Sequence, residues 1–164
     1  MNWYLIVKYL HIIAVTITTG GMFARQLVRG IAKKSDDVKA VATLTQVAHR
    51  IDRMMVIPWS NTILIFGVIL ALMMKWPIFG FLQGASQNWL LVSNILLIVM
   101  LSLIPAVFIP HNKKVEAFLE AALAKGSITS ELSAALNDRK NIIAHHAEEI
   151  ITLVIAALMV LKPF

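Results

Sequence analysis

The chain of 164 residues contains no cysteine. This absence excludes a disulfide framework, a thiolate metal site and a cysteine nucleophile. Charge is also scarce, since charged residues make up 15% and apolar residues 59% of the sequence, whereas soluble domains are about a quarter charged and about half apolar. The composition therefore predicts an integral membrane protein with a single domain over residues 1–164, whose main partner is the lipid bilayer.

Acidic residues are fewer than basic ones, and the net charge is +6. A basic chain can bind nucleic acid, but here the basic and aromatic residues do not interleave along a polar face, so we expect no nucleic-acid partner. Phosphate-binding, dinucleotide-binding and serine-hydrolase motifs are missing as well. Membrane topology is the better explanation of the positive charge.

Four apolar stretches each have about 20 residues, the length at which a helix crosses a bilayer. They cover residues 3–23, 54–74, 89–109 and 141–161. The predicted fold class is therefore all-α, a polytopic membrane protein with a bundle of four transmembrane helices.

The connections between these spans also contain helical patterns. Residues 38–51 and 114–124 alternate apolar and polar residues at helical spacing, and a short helix is expected from Ser130 to Leu136. They predict amphipathic cytoplasmic connecting helices that lie on the membrane surface or cap the bundle. Pro58 is expected where the second span begins, and Pro105 is expected to kink the third.

Most lysines and arginines lie in the first and third connections, whereas the second connection has only Lys75. The positive-inside rule places the first and third connections in the cytoplasm. We therefore expect a multi-pass protein of the bacterial inner (plasma) membrane with the N-terminus and the C-terminus outward.

The polar residues of the first span lie on one helical face, because they recur every three or four residues. The resulting stripe is Tyr4, Lys8, His11, Val15, Thr18, Met22 and Arg25. Lipid cannot satisfy these groups, so the stripe is predicted to face the bundle interior, with Gly20 and Gly21 permitting close helix contact. The fourth span has a matching stripe, which consists of His145, Glu149, Thr152, Ala156 and Met159.

His11 is eight residues beyond Trp3, a depth of about 12 Å in a helix. Ionisable residues at membrane depth usually face a partner, a cavity or a cofactor. One interpretation makes His11 an axial ligand of haem, with Lys8 pairing with a haem propionate or another anionic group. The alternative is a structural histidine bonded to a neighbouring threonine, asparagine or backbone carbonyl.

A second group of titratable residues precedes the apolar part of the fourth span: His145, His146, Glu148 and Glu149. They are consistent with a second haem ligand, a metal site or a proton relay. The alternative is an interfacial salt-bridge cluster with Arg53, Arg139 or Lys140. His111, near the same interface, is a weaker candidate metal ligand.

Three segments resemble a known family. They are V-K-Y-L-H-I-I-A-V followed by Gly20, Phe23 and Arg25, then R-M-M-V-I-P-W-S-N-T-I-L-I-F-G, and the terminal M-V-L-K-P-F. These segments resemble the HemJ-type membrane proteins, which are haem-binding protoporphyrinogen IX oxidases of bacteria. The chain is nearer still to the uncharacterised predicted integral membrane proteins with the same four-helix pattern.

The resemblance implies a haem b site on His11, a supporting role for Lys8, and a redox function in electron transfer or porphyrin-related oxidation. It also implies porphyrin or quinone as a partner. Separately, we expect a homo-oligomer or a redox partner subunit. The early lysine of the family's third span and its Asn-Glu-x-Pro motif before the last span are missing here, so the oxidase reaction stays open. The alternatives are a haem-free interaction protein or accessory subunit, and a metal-handling or transport protein that uses the His145–Glu149 segment.

Overall fold

The computed structural model describes residues 2–164, and most of them are helical. In chain order the helices are α1 (Trp3–Lys33), α2 (Val38–Ile51), α3 (Ile57–Met73), α4 (Trp89–Leu103), α5 (Ile109–Lys125), α6 (Ser130–Leu136) and α7 (Arg139–Leu161). Two π-helical segments, Asp52–Val56 and Ile104–Phe108, join α2 to α3 and α4 to α5. The predicted all-α fold class is confirmed.

Within residues 2–164, four helical stretches are long and apolar enough to cross a membrane: Trp3–Lys33, Val38–Met73, Trp89–Lys125 and Ser130–Leu161. Between them they contain nearly all of the four predicted spans. Each has 31 to 37 residues, whereas about 20 are enough to cross the bilayer. The extra residues of all four stretches lie on the side predicted to be cytoplasmic, which we call the inner end.

Each π-helical segment is followed by an Ile-Pro pair. The N–H of Ile57 bonds to the carbonyl of Asp52, five residues earlier, and Pro58 comes next. Ile109 bonds in the same way to Ile104 before Pro110. Because a proline lacks an N–H and its ring clashes with the carbonyl four residues earlier, a wider π turn keeps the chain helical there. Residues 38–51 and 114–124 therefore continue the spanning helices and are not separate surface helices, which corrects that part of the prediction.

At the inner end α2, α5 and α6 pack on one another. Their shared apolar core consists of Val38, Val41, Val115, Ala122, Leu132 and Ala135. Gly126, with φ +71°, ends α5 in a left-handed conformation that glycine adopts without strain. The hydroxyl of Thr129 then accepts the N–H of Leu132 and begins α6. The prediction that these helices cap the bundle is confirmed.

Aromatic residues close the opposite, outer end of the bundle. The buried Trp89 ring meets Trp76 edge to face, with 5.2 Å between the ring centroids. The Lys162 ammonium lies 4.0 Å from the Trp76 ring centroid, a cation–π contact. The main-chain oxygen of Phe164 accepts the N–H groups of Asn88 and Trp89 at 2.9 and 3.1 Å. The end of α7 is therefore docked on the start of α4.

The helices form two pairs. α1 packs along α3, and α4 packs along α7. The pairs meet where α1 touches α7 and where α2 touches α5. At the first of these contacts the Thr152 hydroxyl lies 4.0 Å from the sulfur of Met22 and 3.5 Å from the sulfur of Met100. Residues of α1 and α7 are thereby brought together from opposite ends of the sequence.

Candidate functional site

His11 lies against Gly67 of α3. A Cβ added at Gly67 would be 3.4 Å from Cε1 and 3.9 Å from Nδ1 of His11. Both distances are ordinary van der Waals contacts, so the imidazole packs directly on α3 at this position. The backbone carbonyl of Ile63, one turn earlier, interacts with the ring, which is the kind of contact that the structural alternative predicts. Nδ1 itself is buried and has no hydrogen-bond partner among residues 2–164, so the structural bond expected in the alternative interpretation is not made by this nitrogen.

Other residues of the α1 stripe follow the prediction to different degrees. Thr18, Met22 and Arg25 are buried, and His11 is half-buried, as expected for a stripe that faces the interior. Lys8 is exposed, and its ammonium lies 5.8 Å from the centroid of the Tyr4 ring. The predicted inward orientation is wrong for Lys8, because its long apolar stem allows the charged end to leave the bundle.

Five side chains form a charged cluster where α1, the first π-helical segment and α7 meet. We call Arg25, Arg29, Asp52, His145 and Glu148 the inner cluster. Arg25 bonds to Asp52 at 2.6 Å and also to Glu148, and Arg29 lies 3.2 Å from the second oxygen of Asp52. Arg25 is 5% exposed and Glu148 8%. Two guanidinium groups are thus matched by two carboxylates, largely out of contact with water.

His145 lies between the cationic and the anionic members of this cluster. One guanidinium nitrogen of Arg29 is at hydrogen-bonding distance from Nε2, and Nδ1 is 3.2 Å from the Glu148 carboxylate. Because a guanidinium only donates, Nε2 is the accepting nitrogen and Nδ1 carries the proton that is donated to Glu148. The ring also stacks on Phe108 of the second π-helical segment, with centroids 4.3 Å apart. The cluster therefore holds His145 as a neutral imidazole of defined tautomer.

This geometry favours the ion-pair interpretation of the His145–Glu149 segment over a metal site. Nε2 of His145 faces a cation, and the Glu148 carboxylate is bonded to another. His146 is exposed and lies 3.4 Å from Glu149. Within residues 2–164 no group of three or more histidine and acidic side chains is placed to hold a metal ion.

The predicted cations of the ion-pair cluster were wrong. Arg53, Arg139 and Lys140 are all exposed. The cations come instead from α1, and Arg25 already stood at the inner end of the polar stripe predicted to face the interior. The polar stripe of α1 was the signal in the sequence that Arg25 faces the interior, but the stripe does not show which acidic residues Arg25 contacts.

The remaining histidines make separate contacts. Nδ1 of His111 is 3.6 Å from the Asp138 carboxylate, and His49 is 3.6 Å from Glu116. His111 lines a small cavity beside Arg29. The predicted candidate ligands His111, His145 and His146 are therefore not gathered at one point.

Comparison with known proteins gives one match. A family model described as "Predicted integral membrane protein (DUF2269)" matches residues 5–163, which include both the His11–Gly67 contact and the inner cluster. No curated protein and no solved structure matches the chain. The match shows a membrane protein family, whereas the HemJ-type resemblance, the haem site and the bacterial inner-membrane location stay predictions.

Proposed function

This chain belongs to the DUF2269 family of predicted integral membrane proteins, and we propose that it binds haem b through His11. The proposed role is redox chemistry, either electron transfer or porphyrin-related oxidation. The observation that carries the proposal is the buried Nδ1 atom of His11, which no residue among 2–164 satisfies. An ionisable imidazole at membrane depth is a functional-site candidate, and because Nδ1 is packed against α3, the other ring nitrogen, Nε2, would be the one to bind iron.

Two features of the site fit a haem ligand. Gly67 brings the imidazole into direct contact with the backbone of α3 and places no polar side chain beside its nitrogens. The exposed Lys8 ammonium is one helical turn further out, where it would pair with a propionate. Haem bound here would supply one-electron redox chemistry, and the apolar helices around His11 would keep water from the site.

The second axial position would be filled by a group other than the remaining histidines or would stay open. The other four histidines are His49, His111, His145 and His146, and all of them lie toward the inner end of the bundle. We propose that a second copy of the chain or a redox partner subunit supplies this group, with porphyrin or quinone as the redox partner. Alternatively, the position is open.

An absorption spectrum tests the haem proposal. Protein purified in mild detergent from haem-replete cells should show a Soret band, and dithionite should sharpen the α and β bands. The His11→Ala variant should lose at least 90% of the Soret absorbance per protein, because the iron loses its protein ligand. A pyridine haemochromogen spectrum identifies the haem as type b.

The matched control is His146→Ala, since the His146 side chain is 65% exposed and its loss should disturb neither the fold nor the spectrum. A folded but colourless wild-type protein would contradict the proposal and leave the haem-free interaction protein or accessory subunit as the function. Absorbance that survives in His11→Ala would show that the ligand assignment is wrong.

Elemental analysis of the same preparations tests the metal-handling or transport alternative. The wild type and a His145→Ala/Glu149→Ala variant should both contain almost no non-haem metal, because arginines occupy the polar atoms of the inner cluster. Stoichiometric metal in the wild type that disappears in the variant would favour the alternative.

A further inference from the structure

A cavity of about 40 Å³, partly open to solvent, lies at the inner end and is bordered by α1, α2, α5, α6 and the start of α7. Seven of its eleven lining residues are polar, among them Arg29, His111 and Asn141. Apolar cavities of this size stay dry, whereas polar ones hold water, and each water needs roughly 10–15 Å³. The space is therefore sufficient for roughly three water molecules.

Two buried polar atoms belong to residues that line this cavity and have no hydrogen-bond partner in the described part of the chain. They are Oδ1 of Asn141 and Nδ1 of His111. Asn141 is 7% exposed, and the His111 side chain is 9% exposed. Asp138 is 3.6 Å from His111 Nδ1, which is too far for a hydrogen bond. Leaving both atoms unpaired would be costly, so a ligand in the cavity is expected to bond to them.

We propose that the cavity is an ordered-water site that joins His111 and Asn141 to Arg29. Water fits because it both donates and accepts, and the site contains an amide oxygen that only accepts beside a guanidinium that only donates. A small anion such as chloride has a similar size, but the amide oxygen of Asn141 would repel it.

The position of Arg29 gives this site its wider importance. The same guanidinium contacts Asp52 and His145 in the inner cluster. Ordered water at the cavity would therefore extend the hydrogen-bonded network from the buried ion pairs to α2 and α5. In this arrangement the hydrogen-bonded network of the inner cluster continues to α2 and α5, and it does not involve the proposed haem site.

Hydroxyl-radical footprinting with synchrotron X-rays tests the site directly, because radicals formed from bound water label the side chains beside it. His111 should be labelled in the wild type despite its burial. Ala48→Val should reduce that labelling at least fivefold, since Ala48 lines the cavity and is 1% exposed, so that the two added carbon atoms fill the space. The exposed His146 should be labelled equally in both proteins.

An unlabelled His111 in the wild type would overturn the proposal, and this measurement requires no variant to fold. Labelling that persists in Ala48→Val would also overturn it, because the radicals would then come from bulk solvent. Replacing chloride by gluconate should leave the labelling unchanged, and a change would assign the cavity to an anion instead of water.

Thermal unfolding gives a second, independent test. Ala48→Val should lower Tm more than Ala121→Val, a control at an exposed position of α5. The lowering of Tm by Ala48→Val should be smaller in an Asn141→Leu background, because the Oδ1 atom of Asn141 is then no longer present to lose its water. If the valine acted only by crowding its neighbours, the lowering of Tm would be larger beside the bulkier leucine. If the cavity were dry, Ala48→Val would be stabilising. Either result would refute the water site.

Discussion

At the scale of single residues, two adjacent glycines of α1 have opposite surroundings. A Cβ added at Gly21 would lie 2.9 Å from Cβ of Met55 and 3.1 Å from Cγ2 of Val56, whereas one at Gly20 would meet no atom of the described chain within 4 Å. α1 therefore approaches the first π-helical segment closely at Gly21. Arg25, one turn further along, pairs with Asp52 of the same segment.

We expect Gly21→Ala to destabilise the protein by about 1–3 kcal/mol, the usual cost of overpacking. The nearest atom is the Cβ of Met55, which is fixed to the backbone, so the helices themselves must separate. Gly20→Ala should be neutral or stabilising because alanine is the better helix former. Thermal unfolding in detergent compares the two variants, and equal Tm values would show that α1 does not need this close approach.

At the scale of helices, local patterns predicted the elements but not their contacts. Hydrophobic periodicity predicted residues 38–51 and Ser130–Leu136 as helices, and the structure has them with these bounds. The partner of Glu148 is Arg25, 123 positions away in the sequence. The π-helical segments that bring Asp52 and Phe108 to the inner cluster also break the regular helical period on which such predictions depend.

The same limit applies to His11. Its depth in the first span made it a candidate from the sequence, because ionisable groups are costly there. Gly67 was one of several small or polar residues in the second span, and the pattern gave no reason to pair it with His11. Which faces of two helices meet depends on packing along their full length, to which all residues contribute.

The inner cluster connects α1 to α7, so its loss should weaken the contact between the two helix pairs. Arg25→Gln removes a buried cation and leaves Asp52 and Glu148 with an uncompensated charge. We expect a destabilisation of about 3–5 kcal/mol. The control is Arg53→Gln, which removes an exposed arginine next to Asp52 in the first π-helical segment. It should change the free energy of unfolding by less than about 1 kcal/mol.

A double variant separates the ion pair from other effects of the substitution. Arg25→Gln/Glu148→Gln removes both charges, so it should be less destabilised than the sum of the two single variants. Chemical unfolding in detergent measures all four proteins. Additive losses would mean that the two side chains stabilise the protein independently and that their contact contributes nothing.

At the scale of the whole molecule, the two ends of the bundle differ in composition. The inner end contains the helical extensions with most of the lysines and arginines, and the outer end contains the Trp76–Trp89 contact and the docked Phe164. The length and the composition of the helices establish that they can cross a membrane, but they do not establish the direction. The direction follows from the charge asymmetry, which predicts that the inner end is cytoplasmic.

The absence of cysteine makes this orientation directly measurable, because each single-cysteine variant carries one thiol and no background. Ser86→Cys places it in the exposed connection at the outer end, and Ser127→Cys places it in the exposed turn between α5 and α6. In intact cells a membrane-impermeant maleimide should label Ser86→Cys and should label Ser127→Cys only after permeabilisation. Because both positions are exposed serines in turns, a difference in labelling reports the side of the membrane and not burial. The reverse pattern would place His11 in the cytoplasmic half of the bilayer and the inner cluster at the outer surface.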